Sequence, residues 1–199
     1  VGWLLVELVI VFVGVYAAFV LDDHRDQRRI ERKRRQVYAA LLQEFRSHAA
    51  SLDTVVLVLD TMATGFADDH EAGSMPRPGP IHLLLGIRSG LWEATLEAGG
   101  LDVIDVDLMY RINTYYSLAE FIAREMERLT DLSDRFVLPN ADGGLETFYD
   151  IETQKLRKSY RWYLDGLVAI RDHMRILSEM TDDLVATLEQ RSGSDTAGL

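Results

Sequence analysis

The chain has 199 residues, 48% of them hydrophobic and 27% charged, with a net charge of −11 and no cysteine. That length suits one domain with or without an anchor, the apolar content excludes wholesale disorder, and the lack of cysteine excludes disulfides, thiolate metal sites and cysteine nucleophiles. The charge is unevenly spread: residues 22–36 hold seven basic and four acidic groups, and residues 37–199 hold fourteen basic and twenty-seven acidic ones. An acidic body repels nucleic acid, so a nucleic-acid role rests on one short segment and is not expected.

Residues 2–21, GWLLVELVIVFVGVYAAFVL, contain one charge. A helix of that length rises about 30 Å, the hydrocarbon thickness of a bilayer, and it is apolar on every face. A cleavable signal peptide has a shorter apolar region and a small-x-small cleavage site, which Tyr16-Ala17-Ala18 matches poorly. A retained transmembrane anchor over 1–21 is therefore expected. Glu7 lies inside the run, where the helix dipole and the nearby interface favour a carboxylate. Val11, Gly14 and Ala18 continue its face, and Gly14-x-x-x-Ala18 is a small-x-x-x-small pair that admits a partner helix. Glu7, Val11, Gly14 and Ala18 are thus the candidate partner-helix contact.

A basic juxtamembrane helix over 22–36 follows. Arg25, Arg28, Arg29, Arg32 and Arg35 lie along one side of it, placed to meet anionic lipid head groups. Positive charge on this flank favours a body in the cytoplasm, with a periplasmic body as the alternative. No Pro or Gly interrupts the chain until Gly65, and Ile30, Val37, Leu41, Phe45, Leu52, Val55, Leu59, Met62 and Phe66 recur at spacings of three, four and seven. One helix is expected from the anchor to about residue 64.

Residues 67–80, ADDHEAGSMPRPGP, read as a loop. Its Asp68, Asp69, His70 and Glu71 resemble a ligand cluster but read better as solvated charge. Helices are then expected over 81–98, ended by Gly99-Gly100, and from Asp105 or Asp107 to about Leu138. A last helical region spans 145–191, with a possible break at Gly166. No strand pattern is evident. The fold class is all-α: an N-terminal transmembrane helix continuing into a long-helix antiparallel bundle over 37–191, with a flexible tail over 192–199.

Tyr115, Tyr116, Phe121, Tyr160, Trp162 and Tyr163 fall on helical stripes and are expected in the core. Glu44 and His48 share a helix face, but two ligands do not make a zinc site, and a hydrogen bond at the core edge is the expectation. Ser89 sits between Gly86 and Gly90 without the spacing of a nucleophile elbow. No phosphate-cradling loop and no di-iron Glu-x-x-His pair occurs. Catalytic residues, cofactor and metal are all expected to be none.

Two stretches, ELVIVFVGVYAAFVLDDHRDQRR (7–29) and LWEATLEAGGLDVIDVDLMYRINTYYS (91–117), resemble a widespread bacterial family of uncharacterised single-pass membrane proteins. The first has an acidic residue opening an apolar run with a Gly-Val step, then an Arg-rich helix. The second has Trp92, Leu96, a Gly at 99 or 100, Leu101, an acidic-capped helix start and the Tyr115-Tyr116 pair. Here Gly99-Gly100 and Asp102 occupy the turn, and Asp22-Asp23 replaces the family's Asn/Trp-containing boundary. The resemblance implies a membrane-anchored helical protein and supplies no catalytic residue. The functional expectation is a non-enzymatic accessory or scaffold subunit of a bacterial inner-membrane complex, respiratory or photosynthetic. Its expected partners are other transmembrane subunits and anionic lipids, with no nucleic acid and no small-molecule substrate. The alternative is a membrane-tethered bundle that senses a small ligand bound between its helices.

Overall fold

The computed structural model describes residues 2–194; within 2–21 the described side chains are those of Trp3, Phe12 and Tyr16. The first element, α1 (Gly2–Glu71), is one unbroken helix of 70 residues, about 105 Å long at 1.5 Å per residue. It passes through Asp22-Asp23 without a break and ends seven residues beyond the expected point. Gly73 stops it: at φ 81° it lets Ser74 N–H bond to Asp69 O and Gly73 N–H to His70 O, a Schellman closure that a Cβ would strain.

Three more helices follow: α2 (Gly90–Glu97), α3 (Val106–Phe136) and α4 (Arg161–Ser194). The fold is all-α, as the sequence implied. Buried positions recur at alternating steps of four and three along α3 (Leu108, Ile112, Tyr115, Ala119, Ile122, Met126, Leu129, Ser133) and along α4 (Tyr163, Leu167, Ile170, Met174, Leu177, Thr181, Leu184, Leu188). On α1 the same seam is Leu41, Phe45, Leu52, Leu59, Ala63 and Phe66. Three heptad seams facing one axis are the pattern of coiled-coil packing. Gly166 belongs to it: a Cβ there would sit 2.6 Å from Leu129 Cδ1, so the glycine admits a close approach of α3 rather than breaking α4.

α4 runs antiparallel to both neighbours. Arg46 meets Glu189 and Asp60 meets Arg175 across α1 and α4, while Arg111 pairs with Asp183 across α3 and α4. α1 and α3 therefore run parallel. The connection that allows this is extended, and here the sequence reading of a helix over 81–98 is corrected: only Gly90–Glu97 is helical. Ile81 is buried and Leu83, Leu85 and Ile87 are half-buried, while His82, Leu84, Gly86 and Arg88 between them are exposed. That is the period of a strand. Its backbone is bound to α3: Ile81 N–H donates to Ser133 Oγ at 2.7 Å and Leu83 N–H to Thr130 Oγ1 at 3.4 Å. Pro78 and Pro80 at its start oppose helix nucleation.

Two further corrections concern the final third. Residues 145–160 are turns and a small ribbon, not helix: β1 (Tyr149–Asp150) pairs antiparallel with β2 (Lys155–Leu156). Asp150 Oδ1 accepts from the N–H groups of Glu152 and Thr153, an Asx-type turn that competes with helix. α4 also continues to Ser194, three residues into the stretch read as tail; residues 195–199 lie outside the described ones.

The bundle core begins at Tyr38. Below it most described side chains of α1 point to solvent: Trp3 is 82%, Phe12 73% and Tyr16 65% exposed, residues 24–32 are exposed throughout, and only Lys33, Arg34 and Val37 are half-buried. The helix thus extends beyond the bundle as far as Asp26, where it first meets the α2–α3 turn. The portion His24–Glu71 is also long and apolar enough to cross a membrane by length and composition. Its apolar stripe is committed elsewhere, because Leu41, Phe45, Leu52, Leu59 and Phe66 are buried against the other helices. From Tyr38 onward, one side of that portion belongs to the bundle core.

Candidate functional site

Where the seams of α1, α3 and α4 meet nearest the projecting helix, the core turns polar. Glu44 and His48 come from α1, Tyr115 and Tyr116 from α3, and Thr181 from α4. The Tyr115 hydroxyl lies 3.3 Å from His48 Nδ1. The rings of Phe45, Tyr115 and Tyr116 form an edge-on cluster, with Phe45–Tyr115 centroids at 5.1 Å and Tyr115–Tyr116 at 5.2 Å. Thr181 is fully buried and donates to Leu177 O at 2.8 Å. Glu44 Oε2 and the Tyr116 hydroxyl are buried without a hydrogen bond of good geometry.

Burial sets the protonation of this group. It raises the Glu44 carboxyl above its ordinary value, with the Tyr116 hydroxyl opposing the shift, and lowers the His48 imidazole. Burial pushes Tyr115 up to about 12, with Thr181 opposing and the Glu44 charge adding. Tyr116 is raised further, first by burial and then by the charge of Glu44. The cluster therefore holds its phenols protonated and its imidazole neutral, and a neutral imidazole can accept the Tyr115 proton at Nδ1. The sequence singled out the Glu44/His48 pair and the Tyr115-Tyr116 pair separately; the structure brings them together, and of the first pair His48 makes the expected hydrogen bond while Glu44 Oε2 makes none of good geometry.

Immediately below, the root of the projecting helix meets the turn between α2 and α3. Gly99, at φ 75°, closes α2, and Lys33 Nζ donates to Gly99 O at 2.8 Å. Asp105 caps α3 by accepting from Leu108 N–H at 2.9 Å, as its position before the apolar stripe indicated. Its second oxygen pairs with Arg191 near the end of α4. This one carboxylate ties the start of α3 to the end of α4. A cleft of about 460 Å³ lies on one side of the turn, lined by Arg34, Tyr38, Asp102, Ile104, Asp105 and Arg191. A second, of about 490 Å³, lies on the other, lined by Asp26, Arg29, Ile30, Lys33, Asp102 and Val103. Sequence reasoning missed both, because they join residues some seventy positions apart and carry no motif.

Of the residues singled out in advance, Arg25, Arg28, Arg29, Arg32 and Arg35 are all exposed on α1. The side chains of Glu7, Val11, Gly14 and Ala18 lie outside the described residues. Tyr115, Tyr116, Tyr160 and Tyr163 are core residues, whereas Phe121 is exposed and Trp162 half-buried. Asp68, Asp69, His70 and Glu71 form the last turn of α1 rather than a loop, with the His70 ring against Tyr149. Among the described residues no group of three or more His, Asp and Glu side chains is arranged to hold a metal ion. No protein-family model, no curated protein and no solved structure matches the chain.

Proposed function

We propose that the chain is a membrane-anchored accessory or scaffold subunit of a bacterial inner-membrane complex. The observation that carries this reading is the continuity of α1. One rigid helix joins a segment of bilayer length (2–21) to an arginine-rich stretch and then to a core seam. At about 100° per residue, positions 25, 28, 29 and 32 lie on the side of α1 opposite 34, 38, 41 and 45. Positions 7, 11, 14 and 18 share the arginine side. The helix thus turns one side to its own bundle and leaves the other, through membrane and head-group depth, for lipids and a second transmembrane helix. The acidic bundle then supplies a rigid contact surface, suited to bracing a larger assembly of respiratory or photosynthetic type. Basic residues on the downstream flank favour a cytoplasmic bundle over a periplasmic one.

Purification from membranes in mild detergent, followed by mass spectrometry, tests this. Co-purification of one or more transmembrane partners, lost on Gly14→Leu, is the expected outcome. Recovery only as a partnerless chain, unaffected by Gly14→Leu, contradicts it. A reporter fused after Leu199 assigns the compartment.

The polar cluster favours a second reading, a bundle that senses a small ligand. Glu44 Oε2 and the Tyr116 hydroxyl are buried beside each other without a hydrogen bond of good geometry, and are groups a ligand would satisfy. A ligand-dependent rise in melting temperature that Tyr116→Phe abolishes is its signature.

A further inference from the structure

The second cleft at the root of α1 has a charge pattern that the general attraction of arginines for anionic lipids does not use. Two cations, Arg29 and Lys33, and two carboxylates, Asp26 and Asp102, line one concavity, with Ile30 and Val103 as its apolar part. Ile30 is 43% exposed. Lys33 keeps two N–H donors beyond the one given to Gly99 O. The cleft, about 490 Å³, falls within the roughly 300–1,000 Å³ of small-molecule sites.

Its height follows from the helix. Asp26 and Lys33 stand about 8 and 18 Å along the axis from Leu21 at 1.5 Å per residue. The head-group layer occupies the first 5–8 Å or so outside the hydrocarbon. Long basic side chains reach back toward that layer, and an ordinary helix tilt of about 20° lowers the cleft further. The Asp26 rim of the cleft therefore stands at the edge of the head groups on whichever side the bundle occupies, and its Lys33 end about 10 Å farther out.

We infer that this cleft binds the head group of a phospholipid bearing both a phosphate and a primary ammonium, the phosphoethanolamine type. Arg29 and Lys33 take the phosphate; Asp26 and Asp102 take the ammonium. The balance of charge selects the class. A purely anionic head group brings its phosphate beside two carboxylates and leaves them without a counter-charge. A trimethylammonium head group has the right charge but no N–H to donate to them. This inference rests on the membrane-anchored reading, and it adds a stoichiometric lipid at the edge of α1 where Arg29, one of the head-group arginines, meets the α2–α3 turn.

The full chain is reconstituted in nanodiscs with equal amounts of phosphatidylethanolamine, phosphatidylcholine and phosphatidylglycerol, released into mild detergent, and its retained lipids read by native mass spectrometry. Wild type retains one phosphatidylethanolamine over phosphatidylcholine by about two- to five-fold, the discrimination that solvent-exposed ion pairs provide. Asp26→Asn with Asp102→Asn brings that ratio to one, and Arg29→Gln lowers retention of both. All three residues are exposed, so an unchanged melting temperature separates lost binding from lost fold. Equal retention of phosphatidylethanolamine and phosphatidylcholine, or retention of phosphatidylglycerol above both, overturns the inference while leaving the anchor intact. Failure of the chain to enter the nanodisc overturns both. Equal occupancy by soluble phosphoethanolamine added to lipid-free protein overturns the assignment to a lipid.

Discussion

The two halves of α1 share one backbone and nothing else. From Tyr38 onward one stripe of its apolar side chains is buried at heptad spacing against α3 and α4, while Leu57 and Val58 face away. Before Asp22 its described aromatic side chains are each about two-thirds or more exposed. Burial of a large apolar side chain is worth about 1.5–3 kcal/mol, so an apolar residue adds to the bundle only where it meets another element. The difference teaches that the apolar stripe of 38–66 is explained within this chain, whereas Trp3, Phe12 and Tyr16 meet no other element of it; the membrane proposed above is what would cover them. Length and hydropathy do not separate the halves, since His24–Glu71 also passes as a membrane-length helix. What separates them is what each packs against.

The sharpest contrast is between two phenylalanines. Phe45→Ala removes a fully buried ring packed on Tyr115 and Tyr116 and is expected to cost about 3–5 kcal/mol in denaturant unfolding of the full chain in detergent. Phe12→Ala removes a ring that is 73% exposed and is expected to change bundle stability by less than about 0.5 kcal/mol. A comparable cost for both would break the comparison. A smaller effect sharpens how the bundle half is clamped. Ser133 is fully buried and its hydroxyl accepts from Ile81 N–H. Ser133→Ala leaves that amide without its partner, at about 1–3 kcal/mol, and hydrogen exchange at Ile81 should accelerate while amides of α4 keep their relative order.

The pH dependence is smaller still and has a definite sign. Burial raises the folded-state pKa of Glu44, so the stability it lends is full below the ordinary value of 4.5 and is lost as pH rises through the folded value. His48 is lowered from 6.5, so its contribution is full above 6.5 and is lost as pH falls through its folded value. Glu44→Gln should therefore melt higher than wild type near neutral pH, with the gap closing below pH 4.5. A gap independent of pH would contradict the role given to burial. Smallest of all, Arg46→Ala breaks an ion pair with Glu189 whose side chains are 60% and 48% exposed; its cost should stay under about 1 kcal/mol in a melt.

Heptad spacing on 37–66, a cap at Asp105 or Asp107, which the structure assigns to Asp105, and the stop at Gly99 were legible because each is a local signal. The segment at 81–89 misled because IHLLLGI is a short apolar run, and such runs do not declare their period until a neighbour does. Here the neighbour is α3, whose Ser133 and Thr130 supply the acceptors that a helix would have found in its own carbonyls. The alternation of Ile81, Leu83, Leu85 and Ile87 was present to be read, and the prolines before it were the clue to prefer it. Residues 145–160 hid their ribbon for a similar reason, since a two-residue strand pair held by an Asx turn has no periodicity to detect. The polar cluster was half legible: the i, i+4 pair and the tandem tyrosines stood out, but their meeting depends on the parallel course of α1 and α3, which follows from the extended connection. The clefts beside Asp102 are tertiary throughout.

Because the chain has no cysteine, single cysteines introduced along α1 report each position separately, and one measurement bears directly on the division of this helix. In proteoliposomes, spin labels at positions across 4–20 should collide with oxygen, which concentrates in lipid, and be shielded from a water-soluble nickel chelate. Labels at 25, 28 and 32 should reverse that preference, and labels at 41 and 45 should be shielded from both. Nickel access throughout 4–20, equal to that at 25–32, would contradict the account.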